Sequence, residues 1–318
     1  MELRHLRYFI AVAEEGSFIN AAERRLHTAQ PSLSRQIRDL ELEVGVKLLE
    51  RKARGIVLTA AGQVFLDNAR LMLMQLDATV EAARRAEQPR RPGFAVGFLA
   101  GQEVTWLSQT LRILQEEAPD TDITISSLPS PELANALMQN RMDVALLRRE
   151  TQTAGLGFRL LVKEPLVVIL PAHHRLAKHK TIKPQALARE SFIAGSTKLA
   201  PVVRTAVREY AARCGINLNQ KYDAETISGG MSLVASTGSL MLLPLYVTKM
   251  LVPSVVARPL AGEPPTVDLV LGYNKSNTSG LLKRFLLRVD DLVAGVQKQS
   301  SKSESKRTTA KRPVVKDG

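Results

Sequence analysis

The sequence contains a single cysteine, few aromatic residues and no apolar run long enough to cross a membrane. Cys214 stands alone among 318 residues, so no intrachain disulfide can form, and we interpret it as a small packing residue in a reducing compartment. Aromatic residues make up 4% of the chain, yet hydrophobic residues make up 45%, enough for a sizeable core. No apolar segment approaches the roughly 18 residues of a membrane helix, and the first residues mix acids into their apolar pattern, unlike a signal peptide. We therefore expect a cytoplasmic protein that does not associate with membranes.

Motifs typical of enzymes are also missing. The sequence contains no GxSxG, GxGxxG or phosphate-binding loop. His173, His174 and His179 cluster in HHRLAKH, but adjacent histidines do not easily converge on one ion, and other ligand types are lacking nearby. We therefore predict no catalytic residues, no metal ion and no cofactor.

The net charge of +13 is spread along the chain. Residues 1–90 carry 14 Lys/Arg and 12 Asp/Glu, residues 91–297 carry 23 and 17, and residues 298–318 carry 7 and 2. Basicity favours polyanionic partners in general. Because the N-terminal part is almost neutral, total charge does not locate a nucleic-acid site. The last segment is rich in Ser, Thr and Lys, which predicts a basic disordered tail over 298–318.

The first 60 residues have the pattern of short helices with tight connections. Apolar residues recur at helical spacing from Leu3 to Ala13, and Gly16 ends this helix. Ser17 is a natural N-cap for a second short helix. A charged turn, ERKARG, lies between β-branched residues further on and predicts a two-stranded hairpin, or wing.

The third helix, in HTAQPSLSRQIRDLE, has an apolar face and a polar, basic face. Leu33, Ile37 and Leu40 recur at helical spacing. With Thr28 as N-cap, Pro31 would be the third helical residue, where its missing N–H costs little. A rigid helix start that presents Ser, Gln and Arg suits the DNA major groove, because these side chains bind base edges and phosphates. An ordinary solvated face is the alternative for this helix taken alone.

A much longer helix follows the wing, with Thr59 as its N-cap and its end near Glu87. At about 1.5 Å per residue it would span roughly 40 Å. Its apolar residues step by four and three, a heptad seam that favours self-association over packing on its own domain. The predicted dimerisation residues are Phe65, Ala69, Met72, Leu76, Val80 and Ala83.

Beyond this helix the pattern of the sequence changes. Pro and Gly residues over 88–93 predict a hinge. From FAVGFL to VDLVLGY, apolar runs alternate with helical stretches, which predicts parallel sheets covered by helices on both faces. The pattern restarts near residue 164, so we expect an α/β domain of two doubly wound lobes with a crevice between them. Lobe I would span about 94–163 and 268–297, lobe II about 164–267, and one final helix about 279–297.

Residues 1–62 closely resemble the N-terminal domain of LysR-type transcriptional regulators. The diagnostic patterns are F..VAE.GSF..AA..L, QPSLSRQI..LE and G..LLER......LT.AG. The rest of the chain to about residue 297 has the order and length of that family's effector-binding domain. The resemblance implies a winged helix-turn-helix domain over 1–58, a linker helix for dimerisation over 59–87, and a periplasmic-binding-protein-like effector domain over 94–297.

The resemblance also implies partners and DNA contacts. Members of this family are dimers, often dimers of dimers, that bind double-stranded DNA near promoters and change transcription when a small molecule binds. RNA polymerase is a further candidate partner. The segments KEPLVVILPAHHRLAK and FIAGSTKLAP are most similar to regulators of aromatic-acid catabolism. The DNA-facing residues implied by the recognition helix and wing are Thr28, Gln30, Pro31, Ser32, Ser34, Arg35, Arg38, Arg51 and Arg54.

Ligands of doubly wound sheets bind beyond the carboxyl ends of the strands, which indicates where an effector would bind. Hydroxyls and helix N-termini there suit a carboxylate, and Arg148 would add a charge-assisted bond. Gly101 stands where the family commonly has a hydroxyl, so we expect a wider pocket and leave the first anion contact open. An ordinary loop role is the alternative for each candidate. The candidates are Ala100, Gly101, Gln102, Ser130, Arg148, Ser196, Thr197, Pro201, Val202 and Thr226.

These features predict a sequence-specific DNA-binding transcriptional regulator. Its switch would be a small-molecule co-inducer, a carboxylate or aromatic acid, bound between the two lobes. One alternative is an architectural DNA-binding protein without a ligand, which would not need the two lobes. A less favoured alternative is an α/β enzyme.

Overall fold

The computed structural model describes residues 1–52, 55–87, 93–150 and 153–309, without the side chains of 51, 78, 81–87 and 300–309. The chain divides into two units, Met1–Gln88 and Pro89–Gly318, and each is described by itself. Residues 88–92 of the predicted hinge lie outside the described ranges. Among the helices within those ranges, none is both long and apolar enough to span a membrane.

The N-terminal unit begins with the predicted short helices. Gly16 ends α1 in the left-handed conformation, and the Ser17 Oγ accepts a hydrogen bond from the Asn20 amide at 3.3 Å, so both predicted boundaries are confirmed. The short α2 continues directly as a π-helix. The helices are α1 (Leu3–Glu15), α2 (Phe18–Asn20), the π-helix (Ala21–Leu26) and α3 (Gln30–Val44).

The predicted N-cap of α3 is wrong. Ala29 occupies that position without a side-chain hydrogen bond, so Pro31 is the second helical residue rather than the third. The Thr28 amide instead donates to the Ala22 carbonyl at 3.0 Å and closes the end of the π-helix. The reason for tolerating Pro31 is unchanged, since first-turn amides have no partner within the helix.

A wing and a long helix complete this unit as predicted. Strands β1 (Leu49–Lys52) and β2 (Gly55–Leu58) pair antiparallel. Helix α4 (Ala60–Glu87) follows, and the Thr59 Oγ1 accepts from the Gly62 amide at 2.8 Å as its N-cap. A Cβ atom on Gly62 would collide with the Leu48 carbonyl oxygen, so glycine allows α4 to start against the wing.

The first turns of α4 pack on α1, which changes the interpretation of the heptad seam. The Phe65 ring meets Phe9 edge-on, with 5.1 Å between centroids, and Ala69 is 1% exposed. Both seam residues therefore serve the core of their own chain, because α4 covers the apolar face of α1. Glu14 of α1 reinforces this packing through an ion pair with Arg70 of α4, and it also pairs with Arg25 of the π-helix.

The C-terminal unit is an α/β domain. Among the described residues its strands form one sheet in the order β4-β3-β5-β11-β6-β9-β7-β8, with β10 beside β6. The strands are β3 (Gly93–Leu99), β4 (Asp122–Leu128), β5 (Val144–Leu147), β6 (Leu156–Pro171), β7 (Ser191–Gly195), β8 (Asn219–Ala224), β9 (Leu240–Pro244), β10 (Val255–Pro259) and β11 (Thr266–Asn274). The helices are α5 (Glu103–Glu117), α6 (Ser130–Met138), α7 (Pro184–Leu187), α8 (Pro201–Arg213), α9 (Ile227–Thr237), α10 (Gly280–Leu287) and α11 (Val289–Thr309).

Strand β6 runs through both predicted lobes. Its residues 156–165 pair with β11, and residues 166–171 pair with β9 and β10. We call the side of β3, β4, β5 and β11 lobe I, and the side of β7 to β10 lobe II. The change of partners comes close to the predicted boundary at residue 164. The predicted parallel pairing is confirmed for β3 with β4 and β5 and for β7 with β8 and β9. It does not extend to β6, which pairs antiparallel with β9, β10 and β11, or to β11, which also pairs antiparallel with β5.

The C-terminal helix also differs from the prediction. Arg288 divides it into α10 and α11, and its guanidinium binds Glu116, Glu117 and Asp291. Helix α11 then continues to Thr309, so residues 298–309 are helical where a disordered tail was expected. This stretch contains neither proline nor glycine to stop the helix. Residues 310–318 lie outside the described ranges.

Candidate DNA-binding surface and effector cavity

Helix α3 separates an apolar face from a polar face, as predicted. Leu33, Ile37 and Leu40 are buried in the core of the N-terminal unit. Arg35 and Arg38 are exposed, and within the described residues neither guanidinium has an ion-pair partner. Of the other predicted DNA contacts on or before α3, Pro31 and Ser32 are exposed, whereas Thr28, Gln30 and Ser34 are partly exposed. The positive charge of this face is therefore free to meet phosphates or base edges.

A buried carboxylate joins the end of α3 to the base of the wing. Glu41 accepts hydrogen bonds from the amides of Leu48 at 2.9 Å and Leu49 at 3.1 Å, and from the Lys47 ammonium at 2.6 Å. Burial raises the pKa of the Glu41 carboxyl, but these hydrogen bonds together lower it by more, so its pKa lies below the ordinary value. The ionised carboxylate thus fixes the wing relative to α3.

The wing also rests on the turn between α1 and α2. The Ile56 amide donates to the Gly16 carbonyl at 2.8 Å. Gly55 has a φ of 119°, and a Cβ atom there would lie 2.8 Å from the Gly16 oxygen. Glycine at this position therefore permits the close approach. Arg54 and the side chain of Arg51 lie outside the described residues, so their predicted DNA contacts stay predictions.

A cavity of about 1060 Å³ lies between the two lobes. It opens beyond the carboxyl ends of β3, β5 and β7, where ligands of such sheets bind. The structure brings eight of the ten candidates to its wall, on both lobes. These are Ala100, Gly101, Ser130, Arg148, Thr197, Pro201, Val202 and Thr226.

The other two candidates do not line the cavity. Gln102 is fully buried, and its amide donates to both oxygens of Glu164 while accepting from the Trp106 indole at 3.1 Å. The Ser196 hydroxyl accepts from the amides of Lys198 at 3.2 Å and Leu199 at 3.3 Å. Both side chains thus order the loops behind the cavity wall.

Arg148 is 2% exposed at the base of the cavity. Its guanidinium forms an ion pair with Glu164 and donates to the Val267 carbonyl at 3.3 Å. Its backbone amide donates to the Ser130 Oγ at 2.8 Å. The Nε atom is buried and has no hydrogen-bond partner within the part of the chain that the structure describes. The positive charge that was expected to meet an anion is therefore largely neutralised within the fold.

The expected enlargement of the pocket at Gly101 is wrong. A Cβ atom on Gly101 would lie within 3.0 Å of Met250 and Tyr246 of lobe II, so these side chains occupy the space. The Tyr246 hydroxyl donates to the Ala100 carbonyl at 3.1 Å. Burial raises the pKa of this hydroxyl, although Arg148 lowers it in part, and it stays a proton donor at neutral pH.

Several cavity residues were not predicted. Glu103 and Glu150 lie on the lobe I wall, and Phe192, Met231 and Tyr246 lie on the lobe II wall. Glu103 follows β3 and Glu150 follows β5, and the ends of both strands had already supplied predicted candidates. Tyr246 follows the carboxyl end of β9. The rule that ligands bind beyond the carboxyl ends of the strands would therefore have predicted it, had we applied the rule to that strand.

The histidine cluster has a structural explanation for one of its members. His174 precedes the 3₁₀ helix Arg175–Lys178, and its Nδ1 accepts from the Leu176 amide at 3.2 Å. Its Nε2 lies 3.3 Å from Glu190. In the part of the chain that the structure describes, no three potential metal ligands come together.

Two families and several known regulators match this organisation. The family described as bacterial regulatory helix-turn-helix protein, lysR family, matches residues 3–63, and the LysR substrate binding domain matches residues 87–292. The Hca operon transcriptional activator HcaR of Escherichia coli K12 is 37% identical over 300 residues, covering 93% of this chain and 99% of its own. CatR of Pseudomonas putida is 30% identical over 286 residues, covering 90% and 97%.

Solved structures give the same assignment. CbnR, a LysR family transcriptional regulator, matches with a TM-score of 0.55 and 26% identity over 91% of this chain and all of its own. Full-length CbnR complexed with its target DNA matches with a TM-score of 0.54 and 26% identity over 92% of this chain and all of its own. These relatives are transcriptional regulators, not enzymes. The chain belongs to the LysR family of transcriptional regulators, with an N-terminal DNA-binding domain and a C-terminal effector-binding domain.

Proposed function

We propose that this regulator responds to a small organic acid with an apolar, aromatic body, bound in the cavity between the lobes. The observation that carries the proposal is the cavity wall, which is mostly apolar and includes Phe192, Met231 and Tyr246. Ligand sites of this kind combine an apolar surface with a few polar groups that fix orientation. The resemblance of the sequence to regulators of aromatic-acid catabolism supports the same class of effector.

The carboxylate of this effector would bind at the start of α8 in lobe II. Ala200, the N-cap of this 13-residue helix, forms no side-chain hydrogen bond. Val202 and Val203 are the second and third residues of α8, so their amides belong to its first turn, and both residues line the cavity together with Thr197. Helix N-termini favour anions through these amides and through the helix dipole. Arg148 is less suited to bind the carboxylate of the effector, because Glu164 already balances its charge.

Titration of the full-length chain with paired aromatic probes tests this assignment. Benzoate and phenylacetate should bind, whereas their neutral amides, benzamide and phenylacetamide, should bind at least about tenfold more weakly. Thr197→Val should weaken binding of the acids. Thr248→Val is the matched control, because its exposed hydroxyl donates to Leu245 outside the cavity. Equal binding of acids and amides would contradict a carboxylate effector.

On the DNA side, we infer that α3 enters the major groove and that two or four chains act together. The free guanidinium groups of Arg35 and Arg38 support direct contact with bases or phosphates. Such a regulator would work beside the chromosome in the cytoplasm, with RNA polymerase as a candidate partner. Arg35→Ala should abolish preference for the operator over unrelated DNA while the oligomer stays intact. Unchanged operator affinity would contradict this role.

A ligand-independent architectural protein is the competing proposal. It would bend or cover DNA equally with and without a small acid. Footprints of the full-length chain on its operator, recorded with and without the acids that bind, separate the two. An altered footprint supports the regulator, and an identical footprint supports the architectural protein.

A further inference from the structure

Two acidic side chains on the lobe I wall are not explained by binding of a carboxylate. Glu103 is the first residue of α5, just beyond β3, and Glu150 lies three residues beyond β5. Both line the cavity. Because β3 and β5 are neighbouring parallel strands, both residues follow the same edge of the sheet.

Each of these carboxylates has an oxygen without a hydrogen-bond partner among the described residues. The Oε2 atom of Glu103 and the Oε1 atom of Glu150 are buried and unpaired. The other Glu103 oxygen has only a long contact of 3.4 Å with the Ser127 hydroxyl. Buried polar atoms are normally paired, since an unpaired one costs free energy. Burial raises the pKa of the Glu150 carboxyl, as expected for an acid without a donor nearby.

Two neighbouring side chains that could donate, Arg148 and Tyr246, already bind other groups, although the buried Arg148 Nε has no partner within the described residues. Arg148 pairs with Glu164, which also accepts from Gln102. The Tyr246 hydroxyl donates to the Ala100 carbonyl. The lobe I wall therefore offers unused acceptors to a ligand. Both residues line the cavity, and the last side-chain torsion of glutamate is soft, so either carboxylate can reorient to accept a hydrogen bond from a ligand there.

We propose that the effector carries a hydrogen-bond donor, a hydroxyl or amino group, at the end opposite its carboxylate, and that Glu103 and Glu150 accept from this donor. The inference rests on the proposed function, since it assumes that the acid end binds at α8. The two walls then differ in the sign of their charge. The positively polarised amides of α8 bind the carboxylate of the effector, and the carboxylates of lobe I accept from its donor. A purely apolar aromatic acid would leave both carboxylates unpaired in the complex.

Calorimetric titration of the full-length chain with benzoates and phenylacetates tests the proposal. Each acid is compared in forms that carry a hydroxyl, an amino or a methyl group at the 3- or 4-position of the ring. The methyl group matches the others in size but donates no hydrogen bond. The best hydroxyl or amino compound should bind about tenfold or more tightly than its methyl counterpart. Equal affinity of donor and methyl compounds would overturn the proposal.

Variants of Glu103 and Glu150 test whether these two side chains cause the preference for compounds with a hydrogen-bond donor. Glu103→Leu and Glu150→Leu, singly and together, should remove the advantage of the donor compounds while the methyl compounds bind as well as before or better. Glu132→Gln, on the exposed side of α6, is the control and should keep the preference. If a leucine variant unfolds, the glutamine variants replace it and should reduce the preference. A preference that survives in the double variant overturns the proposal.

A neutral probe separates this proposal from the proposed function. 4-Methylphenol has a donor but no carboxylate. If it binds in a manner that depends on Glu103 and Glu150 while no acid binds, the carboxylate assignment fails and the donor site stands. If acids with and without a hydrogen-bond donor bind equally well, the proposed donor site is wrong and the carboxylate assignment stands. If neither acids nor the phenol bind, both fail.

Discussion

A Cβ atom on Gly101 would lie 2.6 Å from the Cε atom of Met250, and both residues line the cavity between the lobes. Gly101 follows β3 in lobe I, whereas Met250 ends a 3₁₀ helix that follows β9 in lobe II. The Tyr246 ring from the same helix would lie 3.0 Å from that Cβ atom. Glycine therefore allows side chains of lobe II to contact the backbone of lobe I.

Replacement of Gly101 by alanine should destabilise the effector-binding domain more than the same change at Gly262. Both glycines have a left-handed φ, 88° and 81°, but a Cβ on Gly262 would meet nothing within 4 Å. Gly262→Ala should cost about 1 kcal/mol from backbone strain alone. Gly101→Ala should cost about 1–3 kcal/mol more, because Met250 and Tyr246 must move. Denaturant unfolding of the full-length chain measures both.

The double variant Gly101→Ala/Met250→Ala gives a check on this explanation. Removal of the long Met250 side chain should recover part of the stability lost at Gly101. Strictly additive losses, or equal losses for Gly101→Ala and Gly262→Ala, would show that contact between the lobes does not contribute.

The buried pair of Arg148 and Glu164 predicts a strong asymmetry between single and double variants. Glu164→Leu leaves the guanidinium without its counter-ion and should lower the free energy of unfolding by about 3–5 kcal/mol. Arg148→Leu/Glu164→Leu should be clearly more stable than Glu164→Leu, because the uncompensated charge is gone. Urea unfolding of the two single variants and the double variant gives the coupling energy. A coupling near zero would contradict the structural pairing.

Glu41 predicts how the N-terminal unit responds to acid. Its folded pKa lies below the ordinary value of 4.5, so its stabilising contribution is present above that value and is lost as the pH falls through the folded pKa. Glu41→Gln should therefore lower the free energy of unfolding at pH 7 by about 1–3 kcal/mol and lower the unfolding temperature with it. The difference from the natural chain should shrink as the pH falls below 4.5 and through the lower folded pKa of Glu41. Calorimetry across this range checks the effect.

The exposed Glu23 supplies the control for that experiment. Glu23→Gln removes a carboxylate of the same unit that has no comparable set of backbone donors. Its difference from the natural chain should stay small at every pH. A pH-independent loss in Glu41→Gln would mean that packing, not the ionised carboxylate, connects α3 to the wing.

Local sequence signals were sufficient where one residue determines one boundary. Gly16, Ser17 and Thr59 mark helix ends through their own backbone or side-chain chemistry, and the structure confirms all three. The N-cap of α3 was misassigned because the preceding helix is a π-helix, whose wider turn takes up the Thr28 amide. Sequence periodicity does not signal such a turn.

The effector cavity was predictable in position but not in charge. The ends of the parallel strands gave eight residues of its wall. The sequence did not indicate that Glu164 would neutralise Arg148, because the partner comes from the middle of β6, a strand shared by both lobes. Likewise, the space beside Gly101 is filled by Met250, almost 150 positions away in the sequence. Such long-range pairings depend on topology, which local patterns do not encode.

The remaining heptad seam on α4 is predicted to hold two chains together. Met72 and Val80 are 53% and 42% exposed, with the half-buried Leu76 between them, whereas Phe65 and Ala69 serve the core of their own unit. The side chain of Ala83 lies outside the described residues. A charge at the centre of an apolar seam is costly, so Leu76→Asp should raise the dissociation constant of the dimer by about tenfold or more. Sedimentation velocity at micromolar concentration measures this shift.

Gln75→Asp is the matched control for the seam, because it adds the same charge at an exposed position one residue earlier on α4. Successive helical residues point about 100° apart, so this charge should stay in solvent. Gln75→Asp should sediment like the natural chain. Operator affinity should fall with Leu76→Asp and not with Gln75→Asp, since two recognition helices bind DNA together only when the chains are paired. Equal behaviour of the two variants would place the dimer contact elsewhere on the molecule.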